Sequence, residues 1–198
     1  MGDTKDLHGS APDKSGAALL LIDVINDFDF AQGKQLLRLA IPAGRNIAAL
    51  KQRAKAAGIP AIYVNDNFGR WRSDFKKTVA HCSGANAKGK EFVELLLPDD
   101  DDYFVLKPKH SGFYSTTLDL LLTHLTARNL IITGIAGNNC VLFTANDAYM
   151  RDYKIFVPSD CTASSTDEEN QHALAQMQNV LKADISLAEE LDLKAITS

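Results

Sequence analysis

The run Ala17-Ala-Leu-Leu-Leu-Ile22 places six apolar residues in a row and closes on Asp23. A strand with one wet face alternates apolar and polar residues. An uninterrupted run of this length instead predicts a strand covered on both faces, as in a parallel sheet between two layers of helices. The run is far too short to span a bilayer.

The rest of the chain repeats the same alternation of elements. Ile41, Ile47, Ala48, Leu50, Ala54 and Ala57 recur at helical spacing, predicting a helix over Pro42–Ala57 that stops at Gly58. Ile59–Asn65 reads as the second strand. A helix over Lys90–Leu97 is halted by Pro98, and the acidic turn Asp99–Asp102 leads into a third strand, Tyr103–Leu106, ending on Lys107. Thr116–Arg128 carries Leu118, Leu121, Leu122 and Leu125 on one helical face, and the fourth strand follows over Leu130–Ile135. Asn138 or Asn139 caps a helix running through Arg151. Lys154–Val157 is then a fifth strand, Asp167–Leu181 a helix and Ala183–Leu187 a short sixth strand. Strands alternating with helices imply βαβ units, hence a three-layer α/β/α fold of Rossmann-like type around a six-stranded parallel sheet.

At 198 residues the chain has the length of one domain, expected over residues 17–198, preceded by a polar stretch, Met1–Gly16, expected to be a flexible arm. The formal net charge of −4 provides no basic field for a phosphate backbone, so nucleic acid is excluded as a partner, as is a membrane. Cys82, Cys140 and Cys161 are too few, and odd in number, for a disulfide framework, which points to a reducing, cytoplasmic setting.

Open parallel sheets bind ligands beyond the carboxyl ends of their strands. Asp23, Asn65 with Asp66, Lys107 and the turn leading to Cys140 all fall there. A thiolate is a competent nucleophile, and a neighbouring cation or helix N-terminus lowers the thiol pKa; both are expected near Cys140. Asp23 is placed to take the thiol proton and Lys107 to stabilise the thiolate. The turn Gly134-Ile-Ala-Gly137 brings backbone N–H groups of Ile135, Ala136 and Asn139 near the nucleophile as candidate oxyanion donors.

Three segments carry a family resemblance: Leu-Leu-Ile-Asp23-Val-Ile-Asn-Asp-Phe28, Val-Leu-Lys107-Pro-Lys-His-Ser-Gly-Phe113, and Thr-Gly134-Ile-Ala-Gly-Asn-Asn-Cys140-Val. Together they resemble the isochorismatase-like cysteine hydrolases from about Ala17 to Leu187. The resemblance implies an Asp23, Lys107, Cys140 triad, a cis peptide between Ile135 and Ala136, and a small pocket lined by Phe28 and Phe113. It also implies a small-molecule substrate and a homo-oligomer. Nicotinamidases of this family bind a metal through an Asp-x-His motif and a second histidine. Here the stretch reads Asn65-Asp66-Asn67-Phe68-Gly69-Arg70-Trp71, without histidine, so neither metal nor other cofactor is expected. A non-standard metal site near Asp66, completed for instance by His81, is the exception left open.

Retention of Cys140 points to metal-independent hydrolysis of a small amide, carbamoyl or related C–N substrate through a thioester. Two alternatives stand beside it: vinyl ether hydrolysis of isochorismate type with Asp23 as the acid, and a catalytically silent binding or scaffold subunit. Trp71, the only tryptophan, follows the second strand and either walls the pocket or packs a subunit interface. Arg70 or Arg72 either holds a substrate carboxylate or is solvated. Cys82 is expected in a polar loop, Cys161 in the core, and Asp99–Asp102 in a solvated turn rather than a calcium loop.

Overall fold

A computed structural model describes residues 13–69, 71, 72 and 74–197. Among the described residues six parallel strands form one sheet: β1 (Ala17–Ile22), β2 (Ala61–Asp66), β3 (Tyr103–Lys107), β4 (Asn129–Ile135), β5 (Lys154–Phe156) and β6 (Thr162–Ala163). Their order is β3-β2-β1-β4-β5, with β6 also pairing with β4. The chain therefore winds outward from β1 to β3, then returns to the far side of β1 with β4. The point of reversal between β1 and β4 is where such sheets open a ligand crevice.

The uninterrupted apolar run of β1 has its explanation in the two cores. Ala17, Leu19 and Leu21 face one core, against α1 (Gly33–Ala56), α2 (Phe75–Cys82) and α3 (Lys90–Leu95). Ala18, Leu20 and Ile22 face the other, against α4 (Leu118–Leu125), α5 (Leu142–Tyr149) and α6 (Asp167–Asn179). A short α7 (Leu193–Thr197) ends the described chain.

Several expectations need correction. The sixth strand is Thr162–Ala163, paired with Gly134 and Ile135. The stretch Ala183–Leu187 contributes only a single parallel bridge, between Asp184 and Phe156. β5 and β6 share one edge of β4: β5 occupies its amino-terminal half and β6 its carboxyl-terminal half.

The first helix begins at Gly33 and carries Pro42 in its interior, so it starts well before the proline expected to open it. Cys82 lies not in a polar loop but at the buried end of α2, capped by Asp74, whose side chain accepts the Lys77 N–H. Of the expected arm, Met1–Pro12 lies outside the described residues. Residues 13–16 are bound to the domain: Tyr103 donates to Asp13 at 2.6 Å, Ser15 N–H to the Leu125 carbonyl at 2.9 Å, and Arg128 N–H to the Gly16 carbonyl at 2.8 Å.

Candidate active site

Parallel register brings the three candidate groups together at the carboxyl ends of β1, β3 and β4. Asp23 follows β1 directly in a left-handed conformation (φ 51°), and its N–H donates to the Val64 carbonyl at 3.0 Å. Left-handed backbone is uncommon for a residue with a Cβ, though aspartate tolerates it better than most. Lys107 closes β3 opposite Asp66 of β2.

Cys140 sits in a π-helical turn, Gly137–Val141, entered through a cis peptide between Ile135 and Ala136. Two glycines permit this turn. A Cβ on Gly134 (φ 116°) would stand 2.1 Å from the Ile22 carbonyl oxygen, and one on Gly137 would stand 2.2 Å from Asn170 Oδ1. Only a residue without a side chain lets β4 approach β1 so closely.

Lys107 is the hub. Its fully buried ammonium lies 2.7 Å from Asp23 Oδ2 and 3.7 Å from Asp66 Oδ2, and it donates to Cys140 Sγ at 3.5 Å. Asp23 is steadied on its other oxygen by the Asp66 N–H at 2.6 Å.

Burial raises the Asp23 pKa, outweighing the opposing effects of Lys107 and of a hydrogen bond with Cys140. Burial also works against the Lys107 charge, yet Asp23, Cys140 and Asp66 hold the ammonium above its ordinary value. The thiol differs from expectation: burial, then the negative charge of Asp23, push Cys140 up to about 12, and Lys107 only partly offsets this. Burial and the Asp23 charge thus both favour the protonated thiol, beside a carboxylate of raised basicity.

Asp23, Asp66 and Cys140 open onto a cavity of about 540 Å³, with Lys107 buried behind them. Asp23, Cys140, Ile135, Ala136 and Asn139 line it, together with residues that sequence reasoning did not single out: Asn26, Phe30, Phe68, His110 and Glu169 among them. Most of these lie on loops between elements, where no periodicity orients a side chain.

The expected pocket residues are placed elsewhere. Phe28 is buried in the core, edge-on to Phe92 at 5.4 Å between ring centroids. Phe113 belongs to the opposite core, beneath the Arg151 guanidinium at 4.7 Å. Asn65 is fully buried and pins the loop after β1, accepting the Ile25 N–H and donating to the Ile25 carbonyl, both at 3.0 Å. Trp71 is 78% exposed and lines no part of the cavity. Of the two arginines considered for a substrate carboxylate, Arg72 is absent from the cavity wall and Arg70 lies outside the described residues.

The turn around Cys140 is held by polar contacts. Thr144 donates to the Cys140 carbonyl at 2.7 Å and accepts the Gly112 N–H at 3.0 Å, tying the third expected segment to the second. Asn138 N–H donates to Ser164 Oγ at 3.0 Å. Asn139 N–H donates to the Ala136 carbonyl at 3.0 Å, so this proposed oxyanion donor is already engaged.

The residues after β2 do not fit an imidazole-based metal site. Asp66 faces Lys107 and accepts the Phe68 N–H at 2.6 Å, while Asn67 Oδ1 accepts the Gly69 N–H at 2.8 Å. His81 pairs with Asp27 at 2.9 Å and is absent from the cavity wall. Among the described residues, the carboxylates that converge closely enough to share a cation are Asp99, Asp101 and Asp102. They lie at the other end of β3 and are paired with Lys51 and Lys55. Cys161 is buried in the core, and burial raises its thiol pKa.

The fold is a three-layer Rossmann-like α/β/α domain, and the model of the isochorismatase domain matches residues 17–189, so the chain belongs to the isochorismatase family of hydrolases. An isochorismatase family protein of uncharacterized function from Bacillus subtilis (strain 168), YaaI, is 48% identical over 178 residues, covering 90% of this chain and 97% of that one. The ureidoacrylate amidohydrolase RutB of Methylobacterium radiotolerans is 31% identical, covering 85% of this chain and 75% of its own. Among solved structures, a pyrazinamidase/nicotinamidase from Streptococcus mutans UA159 superposes with a TM-score of 0.67 at 28% identity, covering 85% of this chain and 99% of that one. The N-carbamoylsarcosine amidase from Thermoplasma acidophilum shares the fold, with a TM-score of 0.68 at 24% identity over 89% of this chain and 98% of that one. No helix among the described residues is long and apolar enough to cross a membrane.

Proposed function

We propose that the chain hydrolyses a small amide, carbamoyl or related C–N substrate by covalent catalysis, with Cys140 as nucleophile, Asp23 as proton acceptor and donor, and Lys107 as electrostatic partner. The observation that carries this reading is the Lys107 ammonium, 2.7 Å from Asp23 and 3.5 Å from Cys140 at the wall of the cavity.

Chemistry begins with proton transfer from the thiol to Asp23. The net charge of the three groups is unchanged by the transfer, and Lys107 shifts its attraction from carboxylate to thiolate as the negative charge moves. The raised pKa of Asp23 supports its use as a base despite the neighbouring cation. The thiolate attacks the substrate carbonyl carbon, and oxyanion charge develops beside the backbone at Ile135 and Ala136, both on the cavity wall. Protonated Asp23 then gives its proton to the departing nitrogen as the C–N bond breaks, leaving a thioester. Water, deprotonated by Asp23, attacks the thioester and restores the thiol. No metal enters any of these steps.

The C–N substrate class is supported by the amidohydrolase and nicotinamidase relatives. The small, odd number of cysteines supports a reducing compartment, and the exposed Trp71 supports a subunit contact rather than a pocket role.

Cys140→Ala is expected to abolish ammonia release from amides while the protein stays folded. Vinyl ether hydrolysis, the second reading, is favoured by the raised Asp23 pKa alone. In that case Cys140→Ala retains activity and Asp23→Asn loses it.

A further inference from the structure

We infer that the cavity takes a substrate carrying no negative charge, an uncharged or cationic amide or urea, and that Glu169 at its wall enforces this choice. The inference rests on the amide-hydrolase reading above and deepens it by specifying the charge class of the substrate.

Three carboxylates line the cavity: Asp23, Asp66 and Glu169. Among the described residues no lysine or arginine lines it. The Lys107 ammonium, behind the wall formed by Asp23, Asp66 and Cys140, is fully buried and held by Asp23 and Asp66, so it is not free to receive a substrate carboxylate. Glu169 differs from the other two. It sits in the first turn of α6, where its N–H donates to Thr166 Oγ1 at 3.1 Å, and its exposed carboxylate enters no ion pair among the described residues. Uncancelled negative charge around a concave site raises the local concentration of cations and repels anions.

The remaining polar wall is uncharged: Asn26, Gln32, Asn138, Asn139 and Ser165. Such groups can hydrogen-bond an amide or ureido group but cannot neutralise an anion. Among the described residues His110 is the one wall residue able to carry positive charge, and its ring rests on Phe143 at 5.3 Å between centroids. A His110→Gln variant carried through the test removes that side chain from consideration. Ureidoacrylate and N-carbamoylsarcosine, named in two relatives, each carry a carboxylate, whereas nicotinamide and pyrazinamide do not. The wall charges place this chain's preference with the second pair.

The test uses three amides of matched length that differ in the terminal group: butyramide (methyl), β-alaninamide (ammonium) and succinamate (carboxylate). Ammonia release is measured at about pH 8 with the full chain and with its His110→Gln variant. Binding to the Cys140→Ser protein is measured in parallel by calorimetry. The expected result is a kcat/KM for butyramide and β-alaninamide at least about tenfold above that for succinamate, narrowing as salt screens the wall charges. Glu169→Lys should shift the succinamate-to-butyramide ratio at least about tenfold towards succinamate, a ratio that general damage to the fold would not move.

Succinamate turned over as well as butyramide, or a Glu169→Lys ratio equal to that of the wild type, overturns the inference while leaving the amidase reading intact. Absence of turnover with all three, combined with calorimetric affinities in the expected order, defeats the amidase reading and upholds the charge selection. Binding of none of the three, or of succinamate preferentially, overturns the charge selection whatever the turnover.

Discussion

The sheet carries a buried lysine paired with aspartate at each end, and the two have different surroundings. At the carboxyl end, Lys107 meets Asp23, Asp66 and the thiol of Cys140 beside a cavity of about 540 Å³. At the amino end, Lys51 reaches Asp102 at 2.5 Å, Tyr63 Oη at 3.1 Å and the Leu97 carbonyl at 3.4 Å, beside a hollow of about 120 Å³. Burial works against the Lys51 charge, but the Asp102 hydrogen bond and Tyr63 hold the ammonium above its ordinary value, and burial raises Tyr63 itself to about 12. Every partner of Lys51 is a structural group that ties α1 to β2 and the turn before β3. A buried lysine–aspartate pair is therefore not a site by itself. What distinguishes Lys107 is a partner that can become a nucleophile and a space for a reactant beside it.

The sharpest way to break this contrast is to remove each ammonium in turn. Lys107→Met is expected to lower amide turnover per folded molecule by about 10³-fold or more, because it leaves thiolate formation unsupported. Lys51→Met should leave kcat/KM within a few-fold of wild type. Equal losses of activity in the two variants would erase the distinction.

Stability orders the pair differently. Lys51→Met strands the nearly buried Asp102 carboxylate and is expected to cost about 3 kcal/mol, read from urea unfolding. A loss below about 1 kcal/mol would show the amino-end network to be incidental.

Thiol chemistry sharpens the comparison further. With Cys140 pushed up to about 12, iodoacetamide alkylation of the resting protein should rise with pH well above the ordinary thiol range. A midpoint below about 7 would mean a preformed thiolate and a different division of labour with Asp23.

The smallest effect is linkage at alkaline pH. The folded thiol keeps its proton up to about 12, whereas an unfolded thiol loses it near 9. Across this window the folded state binds more protons, so stability falls as pH rises. At pH 10 the wild type should have lost about 1 kcal/mol relative to Cys140→Ser, which has no thiol to titrate. A pH-independent difference between the two proteins would contradict the raised thiol pKa.

Much of this was legible in the sequence where burial imposes a pattern. The unbroken run of β1 and the leucine stripe of α4 announced a parallel sheet between helices, because each of those side chains must leave water. Asp23, Lys107 and the turn before Cys140 were legible as strand ends.

Illegible elements had weak or misleading local signals. β6 is two residues long and exists only through its pairing with β4. Pro42 looks like a helix opener, yet an interior position forgoes only one backbone hydrogen bond in a long helix secured by Leu36, Ala40, Ala43 and Ile47. The Asp74 cap and the spacing of Phe75, Thr78 and Cys82 did mark α2, but the surrounding lysines and serines masked it as a loop.

Pocket residues were the least legible. Phe28 and Phe113 flank the site in sequence, but each satisfies a core, while Phe30, Phe68 and Glu169 reach the cavity from segments whose direction only the tertiary fold decides.

The most direct measurement is ammonia release from a set of small uncharged amides and ureas by wild type and by Cys140→Ser, both pretreated with a chelator. The account predicts turnover by the chelated wild type and none above background by the variant. Wild-type rates in Cys140→Ser would contradict it.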